Sequence, residues 1–155
     1  MIHPARIKKL NQRPYNKKGD YVLYWMQASQ RASYNHALEF AVLKANELKL
    51  PVHTVFVITP SYPGAAVRHY IFMLEGLKET AKSLEKRGIS FSLHKGEPFE
   101  QAVELSKNAA VVVADRGYTR VQREWREKAA EKTICVFYMV ESDVIVPVEA
   151  ASPKE

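Results

Sequence analysis

YVLYWMQASQRASYNHAL, residues 21–38, holds an almost unbroken apolar run, a polar turn and the start of a helical period, and that order decides the fold class. Residues 21–26 lack the strict alternation of a half-exposed strand, so they read as a strand covered on both faces, as in a parallel sheet. From Ser33 the period becomes helical: Leu38, Ala41, Val42, Ala45 and Leu48 share one face, with Glu39, Lys44, Glu47 and Lys49 turned outward. Pro51 stops this helix, because proline lacks an amide donor and restricts the residue before it. A strand feeding directly into a helix predicts a layered α/β domain, with any ligand where the two meet.

Working outward, the alternation repeats. Residues 52–58 (VHTVFVI) are β-branched and aromatic, a second strand. They end in TPSYPGAA, residues 59–66, a connection long enough to cover a ligand. Val67, Tyr70, Ile71, Leu74, Leu77, Ala81 and Leu84 then form one apolar helical stripe, closed by Gly88. Residues 89–94 read as a third strand, and Glu97 and Pro98 open a short helix through Ser106. The fourth strand is residues 109–114. Thr119 and Gln122 have capping-box spacing ahead of a helix striped by Val121, Trp125 and Ala129, and residues 135–140 form a fifth strand. Residues 141–155 have no helical period and read as an extended exit segment.

These elements predict a Rossmann-like, doubly wound α/β fold: a five-stranded parallel sheet in the order 3-2-1-4-5, with helices on both faces. Its switch point lies between the first and fourth strands, and ligands in such sheets bind outside the carboxyl ends there. Met26, Gln27, Ala28 and Ser29 are thereby expected to face Asp115, Arg116 and Gly117 across a ligand crevice. Arg31 keeps the turn polar, and Tyr34 and Tyr118 flank the crevice as stacking candidates; Tyr62 and Tyr70 are further ones, while Trp25 is expected in the core. Asp115 would fix a donor and Arg116 face an anionic or carbonyl-rich ligand.

A chain of 155 residues, 46% hydrophobic and 26% charged, is sized for one domain with one core. Its apolar runs are too short for a membrane helix, and the N-terminus lacks the apolar region and cleavage site of a secretory signal, so a cytoplasmic location is expected. Of the net charge of +6, nearly all lies in residues 1–20, where Arg6, Lys8, Lys9, Arg13, Lys17 and Lys18 face only Asp20. This reads as a solvated, partly disordered basic leader in preference to a phosphate-binding arm. Arg116, Arg120, Arg123 and Arg126 are interleaved with Glu124, Glu127 and Glu131, as expected of a solvated or domain-facing surface. Cys135, the single cysteine, sits in an apolar run and is expected buried and inert. There is no G-x-G-x-x-G, no Walker A sequence, no paired-histidine motif and no acidic cluster after the first strand, so neither a metal nor a pyrophosphate held in the usual way is expected.

With the elements placed, the chain resembles the N-terminal α/β domain of class II cyclobutane-pyrimidine-dimer DNA photolyases. YWMQASQRASYNHAL looks like that family's first strand and helix, matching at Trp25, Met26, Gln30, Arg31, Asn35, Ala37 and Leu38. RHYIFMLEGLKE (residues 68–79), VVVADRGYTRVQREWR (residues 111–126) and VESDVIVPVEAASPKE (residues 140–155) resemble its second helix, its fourth strand with the following helix, and its exit toward a second domain. Ala28 and Ser29 stand where many members have an Arg-Asp pair. After the basic leader that the charge distribution marks at 1–20, the resemblance implies the photolyase-type α/β domain at 21–140 and the start of an interdomain linker at 141–155. It also implies that the FAD-binding helical domain, with the tryptophan chain and dimer-flipping pocket, is absent, so this chain alone is inactive as a lyase and contacts DNA only through the full-length enzyme. The α/β domain would bind an antenna chromophore, 8-hydroxy-deazaflavin before folate or flavin, and pass excitation to FAD in the C-terminal helical domain. Its exposed interdomain surface would favour homo-oligomers. The alternatives are a non-catalytic scaffold with an empty crevice and a stand-alone nucleotide-binding domain.

Overall fold

The computed structural model describes residues 2–60 and 62–152. A 3-10 turn, Pro4–Arg6, leads into β1 (Ile7–Lys9), β2 (Tyr21–Trp25), α1 (His36–Leu48), β3 (Val52–Ile58), α2 (Val67–Glu85), β4 (Ser90–Lys95), α3 (Pro98–Ser106), β5 (Ala109–Asp115), α4 (Arg120–Lys132), β6 (Phe137–Val140) and α5 (Val148–Ala151). The sheet order is β1-β6-β5-β2-β3-β4. All pairings are parallel except that of β1, which runs antiparallel to β6 with Ile7 opposite Val140.

Alternation along β2 sorts the core into two layers. Val22, Tyr24 and Met26 pack with Leu38, Ala41 and Ala45 of α1, and Leu84 of α2 joins the same cluster. Leu23 and Trp25 point the other way, toward Ala102 of α3 and Trp125 and Ala129 of α4. Helices thus cover both faces, and the centre of the sheet is buried along the whole of β5.

The expected five-stranded sheet has six strands, and the leader supplies the extra one. The leader is not a solvated tail. Arg6 and Leu10 continue the edge pairing: Glu141 N donates to Arg6 O at 2.9 Å and Leu10 N to Phe137 O at 2.8 Å. Asn11 donates from Nδ2 to Ala130 O and Cys135 O and accepts from Phe137 N at 3.1 Å. The strand is hidden in the sequence because it is short and at an edge, where Lys8 and Lys9 face solvent and blunt further pairing. Further along, Asn16 N donates to Ala110 O and Asp20 N to Asn108 O. This laces the leader onto the start of β5, and Gly19 lies so close there that a Cβ would stand 2.2 Å from the Ala110 amide nitrogen. Gly19→Ala is therefore expected to cost about 3 kcal/mol, the upper part of the overpacking range, because the obstacle is backbone that cannot rotate away; a urea midpoint unchanged from the parent would refute the close fit.

Two other expectations change. The exit segment is not wholly extended: α5 forms one turn, and Arg6 holds the preceding loop by donating to Val144 O at 2.8 Å and Ile145 O at 2.7 Å. Its residues 153–155 lie outside the described residues, as does Ser61. The apolar stripe of α2 is divided, with Leu77 and Leu84 buried while Val67, Ile71 and Leu74 are exposed together with Phe72. The second half of the helix packs on the core, and the first half overhangs a pocket.

Candidate functional site

α1 begins at His36 because Asn35 is its N-cap, accepting from Leu38 N at 3.1 Å through Oδ1. The amide nitrogen of Asn35 reaches Tyr24 Oη, Ser29 O and Arg31 O, all within 3.0 Å. One buried side chain thus shapes the whole turn from residue 29 to residue 35. Tyr34 carries the cost of this shape in a left-handed backbone at φ 53°.

The other end of that turn closes on Asp115. Gln27 N, Ala28 N and Ser29 N all donate to Asp115 Oδ2, at 2.9, 2.8 and 2.7 Å. Oδ1 takes a 2.6 Å ion pair from Arg126 Nη2, and Arg126 Nε donates to the Asp115 carbonyl. Arg126 also lies over the Trp25 ring, 5.4 Å from its centroid. Both partners are buried, Asp115 at 0% and Arg126 at 1% exposure. Arg126 is accordingly not part of the solvated arginine face of α4: it lies on the buried face of the helix with Trp125, Ala129 and Ala130, one turn after the half-buried Gln122.

The switch point between β2 and β5 is therefore filled from within, and the ten residues expected around one crevice divide into four groups. Met26, Ser29 and Asp115 are interior, the Ser29 hydroxyl donating to Asp143 Oδ2 at 2.8 Å. Arg31, Arg116 and Tyr118 turn toward the exit segment: Arg31 pairs with Asp143 at 2.6 Å, and Tyr118 Oη donates to Glu141 Oε1 at 3.0 Å. Arg116 lies 3.6 Å from Glu141 and 3.4 Å from Glu149. Burial, with Glu141 beside it, pushes the Tyr118 phenol well above its ordinary range. The carboxyl of Glu149 is held below the usual range chiefly by its hydrogen bond from Lys8. Tyr34 is 95% exposed, and Gly117 backs onto Gln122 and Arg126. Only Gln27 and Ala28 reach the pocket.

That pocket, about 300 Å³, opens at the carboxyl ends of β2 and β3. Its walls are Gln27, Ala28 and Gln30 of the turn, Phe56, Val57 and Ile58 of β3, Thr59, Tyr62 and Ala65 of the following loop, His69, Tyr70 and Met73 of α2, and Gln122 of α4. Tyr70 Oη donates to Thr59 O at 2.7 Å, fixing the ring as a wall. Gln27 is spent on the frame: it accepts from Trp25 Nε1 at 3.0 Å and donates to Val57 O at 2.9 Å. The switch-point reading missed Gln30, Phe56, His69, Met73 and Gln122; the visible signal was the long connection at 59–66, which supplies one side.

Among the described residues no group of three or more His, Cys, Asp or Glu is placed to hold a metal ion, and no helix is long and apolar enough to cross a membrane. Cys135 is buried behind β6, and burial pushes its thiol up to about 11. Because the folded value lies above the unfolded one, this contribution to stability is complete below the ordinary thiol range and is lost as pH climbs through it toward about 11. A thiol reagent at mildly alkaline pH is expected to label Cys135 only after unfolding; rapid labelling of the native protein would contradict that burial.

Fold and site together define a doubly wound α/β domain with a ligand-sized pocket at the carboxyl ends of its strands. The DNA photolyase family profile matches residues 22–155, and the chain belongs to that family. It is 45% identical over 155 residues to the deoxyribodipyrimidine photo-lyase of Methanothermobacter thermautotrophicus, covering all of this chain and 35% of that protein. It is 33% identical to the deoxyribodipyrimidine photo-lyase of Potorous tridactylus, covering 86% of this chain and 26% of that one. The chain thus spans about a third or less of the length of these curated relatives. The archaeal photolyase of Sulfolobus tokodaii shares the fold, with a TM-score of 0.71 at 20% identity over 81% of this chain and 30% of that one.

Proposed function

We propose that this chain is the α/β domain of a class II cyclobutane-pyrimidine-dimer photolyase, and that it holds an antenna chromophore which passes excitation to FAD in a C-terminal helical domain. The observation that carries this reading is the pocket of about 300 Å³ walled by Phe56, Tyr62, Tyr70 and Met73. Flat apolar and aromatic walls with a few polar groups suit a planar heterocycle, and the volume lies at the low end of small-molecule sites, room for a ring system without a long tail. The crystal structure of the Sulfolobus tokodaii relative, with two FAD molecules, is described as implying a novel light-harvesting cofactor. 8-Hydroxy-deazaflavin is the first candidate here, ahead of folate and flavin. Titrating it while following its absorbance and fluorescence is expected to show saturable binding that Tyr70→Ala weakens by about tenfold, the loss of one stacking wall. No spectral change at high micromolar concentration would sink the reading.

The exposed Val67, Ile71 and Phe72 on α2 support a docking role beside this one, the scaffold alternative, with the helical domain as partner. Self-association of the isolated chain through the same face would be visible in light scattering.

A further inference from the structure

We propose that His53, Ser92 and His94 fasten the edge strand β4 as an acid-sensitive catch, which stays closed while at most one of the two imidazoles is protonated and opens when both are. β4 ends the sheet and, among the described residues, pairs with β3 alone. Its side chains form one line of hydrogen bonds that runs from β3 to α3. Ser90 Oγ donates to Val52 O at 3.2 Å, so its hydroxyl proton is spent. His53 Nδ1, 2.8 Å from Ser90 Oγ, is therefore the donor of that pair. His53 Nε2 stands 2.9 Å from Ser92 Oγ, and His94 Nε2 stands 3.1 Å from the same oxygen. At the far end His94 Nδ1 meets Gln101 Oε1 of α3 at 3.2 Å.

One hydroxyl between two rings limits the protons the line can hold. With both rings neutral, Ser92 donates to His53 Nε2 and accepts from the Nε2–H of His94. One added proton, on either ring, leaves every contact served, because Gln101 offers His94 Nδ1 its oxygen or, turned over, its NH2. A second proton does not fit. Two ring N–H groups then converge on one oxygen, the Ser92 hydrogen loses its acceptor, and two positive rings stand one hydroxyl apart. Among the described residues neither ring has a carboxylate partner to offset this charge. From β2 the pair is faced by Tyr21, whose ring centroid is 5.4 Å from that of His53, and from α3 by the neutral Gln101. Glu97, Glu100 and Glu104, at the cap and along α3, are exposed, Glu104 pairing with Lys107, and Lys95 follows His94 with a further positive charge. Burial, with the charge of His94 adding to it, holds the half-buried His53 imidazole below its ordinary value, so His53 is the ring that takes the second proton. A folded value below the unfolded one means that this stability is whole above the ordinary imidazole range and is lost as pH falls through it. Just beyond the catch Gly96 N donates to Ile58 O at 3.0 Å, and Ile58 is a pocket wall, so an open catch loosens the pocket from its outer side.

Two measurements on this chain test the catch, and neither needs a ligand. Hydrogen exchange at the β4 amides, corrected for the intrinsic rate, is expected to lose about tenfold in protection between neutral pH and about pH 5, the factor for a proton displaced by one pH unit, while β2 and β5 keep theirs. His53→Gln and His94→Gln each leave a single ionisable ring, and each is expected to abolish the acid loss. Protection of β4 that does not change with pH in the parent, or an acid loss that persists undiminished in both variants, would overturn the proposal. The second measurement stands even where a variant disturbs the strand: an NMR titration of the imidazole ring protons in the unmodified chain. Two separated steps are expected, the lower one on His53. Both rings titrating together at the ordinary imidazole value would overturn the catch.

Discussion

Asp115→Ala is expected to lower the unfolding free energy by about 3–5 kcal/mol, the range for breaking a buried ion pair from one side. Two losses combine. Arg126, 1% exposed, keeps its charge with no carboxylate, and three backbone amides at residues 27–29 lose their shared acceptor at the same time. Urea denaturation at neutral pH reads the effect directly. Coupling the change with Arg126→Met is expected to recover part of the loss, because the stranded guanidinium is then gone. A double variant no more stable than the single one would place the whole effect in the amides.

Trp25→Ala is expected to cost a similar amount, about 3–5 kcal/mol, as a large ring leaving a closed core. Trp25 is fully buried, with the Phe137 ring centroid at 6.3 Å and the Arg126 guanidinium at 5.4 Å. Its indole also donates to Gln27 Oε1, whose remaining contact is the longer one from Val57 N at 3.4 Å. Loosening Gln27 loosens a pocket wall, so chromophore binding is expected to weaken in the same variant. Trp25→Phe keeps most of the volume but not the donor. If Trp25→Phe bound chromophore as the parent does, Gln27 would be positioned without the indole.

Period and composition made the layers legible. Residues 21–26 read as a strand buried on both faces, and Val22, Leu23, Tyr24 and Trp25 are indeed split between two cores. β1 was not legible, because three residues with two lysines carry no period and its pairing partner lies at the far end of the chain. Nor was the division of α2: Val67, Ile71 and Leu74 have core spacing, yet spacing cannot say where a helix leaves the sheet. At the site, topology brought Ser29 and Asp115 together, but the sequence could not tell a carboxylate aimed at a ligand from one aimed at the backbone. That distinction depends on Arg126, eleven residues on, whose inward turn is a tertiary fact. The pocket moved one strand over as a result, from β5 to β3.

The clasp between leader and exit segment also fixes an order of events during synthesis. Arg6 and the carbonyl of Val144 that it grips are 138 positions apart in the chain, and among the described residues β1 pairs with β6 alone. In a growing chain β1 is made before the other strands of this sheet and β6 after them, so β1 waits as an unpaired, basic segment while the parallel strands assemble behind it. Lys8 and Lys9 then serve a second purpose, keeping a nascent strand soluble through the interval in which it has no neighbour.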